Sequence, residues 1–173
     1  MTTSAAKINK YIFLIPPIIL YGSYLLGFFL NEDSNGGAFL DYKGYIPIIY
    51  DFVSNFNNTF LNFDKYGERH SPILIIILSF LYKINIDDTL IRLINLNFSI
   101  ISIIFFFKCL KIKFNQIDNR YLFLISIIFF LSPTFRSLSI WPDSRIYGFH
   151  FFIISIAKEI AVLSRRPGNT IMG

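Results

Sequence analysis

The chain has 173 residues, of which 54% are hydrophobic and 18% aromatic, and its mean hydropathy is +0.54. A soluble domain of this length could not bury so much apolar side chain, so the composition predicts a polytopic membrane protein of the all-α class. The net charge of +5 does not indicate nucleic-acid binding, because the basic residues lie beside apolar runs, where they set membrane topology. The single cysteine, Cys109, excludes an intramolecular disulfide framework.

The first predicted element is a transmembrane helix over residues 11–30. This stretch contains no charged residue, and at about 1.5 Å rise per residue it is long enough to cross a hydrocarbon core of about 30 Å. Lys7 and Lys10 precede it, so the N-terminus is predicted to be cytoplasmic. The apolar run is too long for the core of a signal peptide, and we interpret it as an uncleaved anchor.

Residues 31–91 are predicted to form an extracytoplasmic loop that contains interfacial helices. Apolar residues at helical spacing between positions 45 and 60 indicate an amphipathic helix on the outer membrane face. Residues 72–82 are apolar, but so short a run is more typical of an interfacial helix than of a span. If this run did cross, Lys108, Lys111 and Lys113 would lie outside, against the positive-inside tendency.

Three more transmembrane helices are predicted, over residues 92–107, 121–137 and 146–163. With the first helix they make four spans, and the basic residues that follow or precede them then lie mainly inside. This topology places charged residues from four separate stretches at the outer membrane face. Charges at such a boundary are expensive and predict a functional site. The candidate residues are Asp41, Glu68, Arg69, His70, Arg92 and Asp143.

Two of the candidates also have a plainer interpretation. Arg92 fits an arginine whose side chain reaches back to the membrane interface, and Asp143, which follows Pro142, fits a helix N-cap. Glu68 and His70 are two residues apart, which leaves a divalent metal open as a cofactor. Two ligands without a third make that a weak pattern.

The order of these motifs resembles the C-type membrane glycosyltransferases (GT-C). That family includes the protein O-mannosyltransferases, the aminoarabinose transferases and the lipopolysaccharide-core galacturonosyltransferases. The matching residues are Asp41, then Glu68-Arg69-His70-Ser71-Pro72, then Arg92-Leu93, Ser132-Pro133 and Pro142-Asp143. The chain departs from the pattern at Tyr42, where many relatives have a glutamate, and at Ser71, where they have a proline.

The resemblance implies a sugar donor carried on polyprenyl phosphate and transfer, with inversion, to a hydroxyl of a lipid, glycan or protein acceptor at the extracytoplasmic face. Asp41 would be the catalytic base that takes the acceptor proton. Arg92 and Arg69 would bind the donor phosphate as it leaves. The resemblance further implies a bacterial plasma membrane and, because family members carry more spans, that this chain is an N-terminal portion of the enzyme.

Two other functions stay open at this stage. A non-enzymatic multispanning protein, such as an assembly factor or a transporter subunit, would give Asp41 no special role. A polysaccharide polymerase that acts on lipid-linked repeats would use the same donor chemistry.

Overall fold

The computed structural model describes residues 15–33 and 37–163, and these residues form helices and turns without a strand. The all-α prediction is therefore confirmed for this part of the chain. A short 3-10 helix spans Phe63–Tyr66. The α-helices of the described residues are α1 (Ile15–Phe29), α2 (Ala38–Ser54), α3 (Phe56–Leu61), α4 (Ile73–Lys83), α5 (Asp88–Lys113), α6 (Asn119–Phe130), α7 (Pro133–Ile140) and α8 (Ser144–Leu163).

Among the described helices, α5 is the one that is long and apolar enough to cross a membrane. A second candidate arises if α6 and α7, which meet at an angle of 70°, are counted as one broken span. The helices α1 and α4 are apolar but shorter. Part of the first predicted span, residues 11–14, lies outside the described residues. The four-span topology therefore stays a prediction.

The central helix α5 begins at Asp88, earlier than the predicted start at residue 92. Asp87 caps it, because its side chain accepts a hydrogen bond from the Leu90 backbone N–H at 3.0 Å. Arg92 consequently lies one turn inside the helix. A row of polar side chains at helical spacing faces the interior of the bundle; it consists of Arg92, Asn95, Ser99 and Ser102.

The predicted span over residues 121–137 is two helices in the structure, α6 and α7. The break occurs at Ser132, whose backbone is extended with φ −55° and ψ 131°. Pro133 follows it, and proline both lacks an N–H and disfavours the helical conformation in the preceding residue. The bend brings α7 against α1 and α5. Trp141, which directly follows α7, thereby contacts Arg92 near the start of α5.

The predicted amphipathic helix over residues 45–60 differs from the structure at both ends. Helix α2 begins at Ala38 and ends at Ser54, where Asn55 interrupts it and caps α3 through a hydrogen bond from the Asn58 N–H at 3.2 Å. Its apolar face is buried and packs on α4 and α7. Asp41 therefore lies in the first turn of a helix, where the unpaired backbone N–H groups favour a carboxylate.

Candidate functional site

Asp41 and Asp143 are brought together by Arg145, which lies between them at the start of α8. Arg145 Nη2 donates to Asp41 Oδ2 at 2.5 Å and to Asp143 Oδ2 at 2.7 Å. We call these three side chains the carboxylate cluster. The sequence predicted that the two aspartates share one face of the protein, and the structure places them on the same guanidinium.

Asp143 is fully buried, and both of its carboxylate oxygens are occupied. Oδ1 accepts from the backbone N–H and from Nε of Arg145, both at 2.8 Å, while Oδ2 accepts from Nη2. The first of these bonds is an N-cap contact at the start of α8. The two interpretations of Asp143 are thus compatible, since one side chain caps the helix and also holds the arginine that reaches Asp41.

Asp41 is more open, with 39% of its side chain exposed. Arg145 engages Oδ2, whereas Oδ1 accepts no hydrogen bond from the described residues. Burial raises the pKa of Asp41 by more than the Arg145 charge lowers it, and the nearby Asp143 carboxylate acts in the same direction as burial. A carboxylate with a raised pKa and one unoccupied oxygen is suited to accept a proton.

The motif that ends the outer loop contributes two of its three charged residues to this region. His70 is close enough to Asp41 to lower its pKa, opposing the effect of burial. The charge of Glu68 helps to raise the pKa of Tyr45, which lies one helical turn after Asp41 on α2. Arg69 is exposed and forms no hydrogen bond or ion pair with the described residues. Within residues 15–33 and 37–163, no three histidine, cysteine or acidic side chains are arranged to hold a metal ion.

Arg92 is buried at a different position, with only 7% of its surface exposed. Its guanidinium carbon lies 3.6 Å from the centroid of the Trp141 ring and 4.9 Å from that of Phe28. Its Nε and Nη2 atoms have no hydrogen-bond partner among the described residues. Stacking on aromatic faces offsets part of the cost of burying this charge, but it leaves those donors free for an anion.

Trp141 links Arg92 to the helix that carries Asp41. Its indole N–H donates to the Glu32 carbonyl oxygen at 3.0 Å, which fixes the ring. The Trp141 ring centroid lies 4.5 Å from that of Phe39 and 6.0 Å from that of Tyr42, two α2 residues that lie two positions before and one position after Asp41. Trp141 therefore contacts both the buried arginine and the helix that carries Asp41.

Sequence reasoning missed three residues of this region, namely Arg145, Tyr45 and Trp141. A signal for Arg145 was present, because an arginine two residues after a helix-capping aspartate can fold back onto it, as Arg145 does onto Asp143. Tyr45 stood among the apolar residues of an amphipathic pattern and gave no separate signal. Trp141 stacks on Arg92 across the contact between α5 and the end of α7. The two residues are far apart in sequence, so no local sequence pattern predicts this contact.

Comparisons of the chain with protein-family models, with curated proteins and with solved structures found no match. The resemblance to the C-type glycosyltransferases therefore stays a proposal. It rests on the order of the motifs along the chain.

Proposed function

We propose that the chain belongs to a glycosyltransferase that moves a sugar from a polyprenyl-phosphate donor to an acceptor hydroxyl at the extracytoplasmic membrane face. One observation carries this proposal. Asp41 and Asp143, from opposite halves of the sequence, meet on Arg145, while a buried arginine with unpaired donors lies across Trp141 from the same helix. A base and an anion-binding group are what such a transfer requires.

In this proposal Asp41 is the general base. Its Oδ1 takes the proton of the acceptor hydroxyl as the acceptor oxygen forms a bond to the anomeric carbon. The bond between that carbon and the phosphate oxygen breaks, and its electron pair leaves with the lipid phosphate. Asp143 has a positioning role, because it holds the guanidinium of Arg145 that orients the other oxygen of Asp41.

The leaving phosphate gains negative charge in the transition state, and Arg92 is proposed to stabilise it. The two unpaired atoms, Nε and Nη2, lie on one edge of the guanidinium, so they can donate to two phosphate oxygens at once. Arg69, exposed at the end of the loop, is proposed as a second phosphate contact. Glu68 and His70 would lie beside the carboxylate cluster, where their charges act on the pKa values of Tyr45 and Asp41.

The proposal is tested most directly by Asp41→Asn, which keeps the shape of the side chain and removes the proton acceptor. We expect transfer from a polyprenyl-phosphate sugar to fall by about 10²- to 10⁴-fold. The matched control is Asp51→Asn on the same helix, whose carboxylate accepts a hydrogen bond from Tyr66 at 2.6 Å. It should retain nearly full activity. An active preparation in which Asp41→Asn transfers sugar as well as the wild type would refute the assignment of Asp41 as the general base.

We also propose four spans, a cytoplasmic N-terminus and a bacterial plasma membrane. In a Cys109→Ala background, Asp51→Cys should be labelled by an impermeant maleimide on intact cells. Lys111→Cys, in the last turn of α5, should be labelled only after the cells are permeabilised. Labelling of position 111 from outside would mean that residues 72–82 cross the membrane and that the topology is inverted from α5 onward.

A further inference from the structure

Tyr45 carries a buried hydroxyl that the fold does not use. The residue is 2% exposed, and its OH has no hydrogen-bond partner among the described residues. A buried hydroxyl without a partner is costly, so an unpaired one next to a candidate site points to a ligand. Tyr45 lies four residues after Asp41 on α2, and side chains at this spacing are neighbours on one helix face, with their Cβ atoms about 5–6 Å apart.

The surroundings of Tyr45 define the charge of that ligand. Burial raises the pKa of Tyr45 to about 12, and the carboxylates of Asp143, Asp41 and Glu68 act in the same direction. The hydroxyl therefore stays protonated and acts as a donor at neutral pH. Two of these carboxylates, Asp41 and Asp143, are paired with the guanidinium of Arg145. An excess of negative charge disfavours a phosphate here and favours a neutral hydroxyl.

An apolar slot opens beside this group. A cavity of about 200 Å³ lies between α4 and α8, and its walls include Ile73, Ile77, Gly148 and Phe151. The lining residues with a hydroxyl group are Ser71, Ser144 and Tyr147. The Ser144 side chain is close enough to the Tyr45 hydroxyl to lower its pKa. The Ser144 Oγ is likewise buried without a hydrogen-bond partner among the described residues. Ser144 therefore lies both in the wall of the slot and beside Tyr45, and it follows Asp143 of the carboxylate cluster in sequence.

We propose that this slot binds the acceptor, and that the acceptor is an uncharged alcohol with a hydrocarbon chain. The chain would lie between α4 and α8, and the Tyr45 hydroxyl would donate to the acceptor oxygen while Asp41 Oδ1 receives its proton. The anionic donor would lie on the other side, at Arg92. This inference rests on the proposed glycosyltransferase function and narrows its acceptor from a lipid, glycan or protein to an apolar-tailed alcohol.

Direct binding of two radiolabelled probes, 1-dodecanol and dodecyl phosphate, tests the slot without any transfer reaction. We expect dodecanol to bind at least tenfold more tightly than dodecyl phosphate. Gly148→Leu should abolish this binding, because a side chain at position 148 meets open space and would fill the slot. Gly22→Leu, where a Cβ also meets nothing within 4 Å, is the control on α1 and should bind normally.

Tyr45→Phe separates the hydroxyl from the shape of the slot. The loss of one hydrogen bond should weaken dodecanol binding by about three- to tenfold while leaving the binding of dodecane unchanged. Tighter binding of dodecyl phosphate than of dodecanol would overturn the proposal and assign the slot to the donor. Dodecanol binding that survives Gly148→Leu would place the alcohol elsewhere.

A transfer assay distinguishes failure of this inference from failure of the proposed function. With donor present, Asp41→Asn should remove transfer to every acceptor, whereas Gly148→Leu should reduce transfer to dodecanol at least tenfold more than transfer to ethanol. If Asp41 matters and Gly148→Leu has no such preference, the function stands and the acceptor slot is wrong. If dodecanol binds as described but the wild-type protein transfers no sugar from the donor to any acceptor, the slot stands and the glycosyltransferase function is wrong.

Discussion

Two helix junctions near Trp141 hold an arginine in opposite ways. At the junction of α1 and α7, Arg136 donates to both carboxylate oxygens of Glu32, at 2.5 and 2.6 Å, and to Ser23 Oγ at 2.7 Å. At the junction of α5 and α7, Arg92 is more deeply buried, yet it has two unpaired nitrogen atoms among the described residues. The first arginine is fully satisfied by the fold, and the second is not.

The difference separates a stabilising role from a binding role. The chain is built to accommodate the Glu32–Arg136 pair, since a Cβ at Gly27 would lie only 2.6 Å from Glu32 Oε2. Arg92 forms no such ion pair with the residues that the structure describes. The Asp88 carboxylate, one turn earlier on α5, attracts its charge without a hydrogen bond, and stacking on Trp141 leaves Nε and Nη2 without a partner among the described residues. A buried charge without hydrogen bonds costs stability, so its presence is better explained by a ligand than by folding.

The largest effect is expected from Arg92→Met. It removes a charge that the fold does not pair, so the free energy of unfolding should stay level or rise, while sugar transfer should fall by about 10²-fold or more. Arg92→Lys should also be impaired in transfer, because it keeps the charge and loses the planar fork. Both quantities are measured on the same purified variants. If Arg92→Met lost much of its stability and little of its transfer activity, Arg92 would have a stabilising role and not a binding role.

Arg136→Met should show the opposite pattern. It leaves Glu32 unpaired in a partly buried position, and we expect the free energy of unfolding to fall by about 1–3 kcal/mol. Transfer by the folded fraction should change little. Arg120→Met is the control, because its ion pair with Asp118 spans 4.0 Å and both side chains are more than half exposed. It should cost no more than about 0.5 kcal/mol in denaturant unfolding.

The smallest effect concerns the pH dependence that Asp41 introduces. Since its pKa is raised in the folded state, mainly by burial, the folded protein binds the proton more tightly than the unfolded chain does. Stability contributed by this group is therefore greatest at low pH and declines as pH rises from the unfolded pKa of about 3.9 through the folded value. Asp41→Asn should lack this decline, which melting temperatures measured across that range would detect.

The activity of the same group should move in the opposite direction with pH. A general base works only when deprotonated, so wild-type transfer should increase as pH rises through the raised pKa of Asp41. A rate that is flat across this range, in a preparation where Asp41→Asn is inactive, would assign the residue a role other than base.

The amino-acid sequence by itself determined the helical class and the general position of the charged residues. Long apolar runs can be accommodated only as helices in a membrane, and the distribution of lysines placed Asp41 and Asp143 at the same predicted face. The start of α8 next to Pro142 and the short helix at residues 72–82 also followed from local composition. The start of α5 shifted from residue 92 to Asp88 because Asp87 was not recognised in advance as a helix cap.

Only the tertiary structure decided which charges meet. Asp41 and Arg145 are 104 residues apart, and Glu32 and Arg136 are likewise 104 apart, so no local spacing predicts either pair. The bend at Ser132 turns α7 back toward α1 and α5. This one change of direction forms both the α1–α7 junction at Arg136 and the α5–α7 junction at Arg92. Local propensity can place a proline break in a sequence, but the partner that a long side chain finds beyond the break depends on how the helices pack in space.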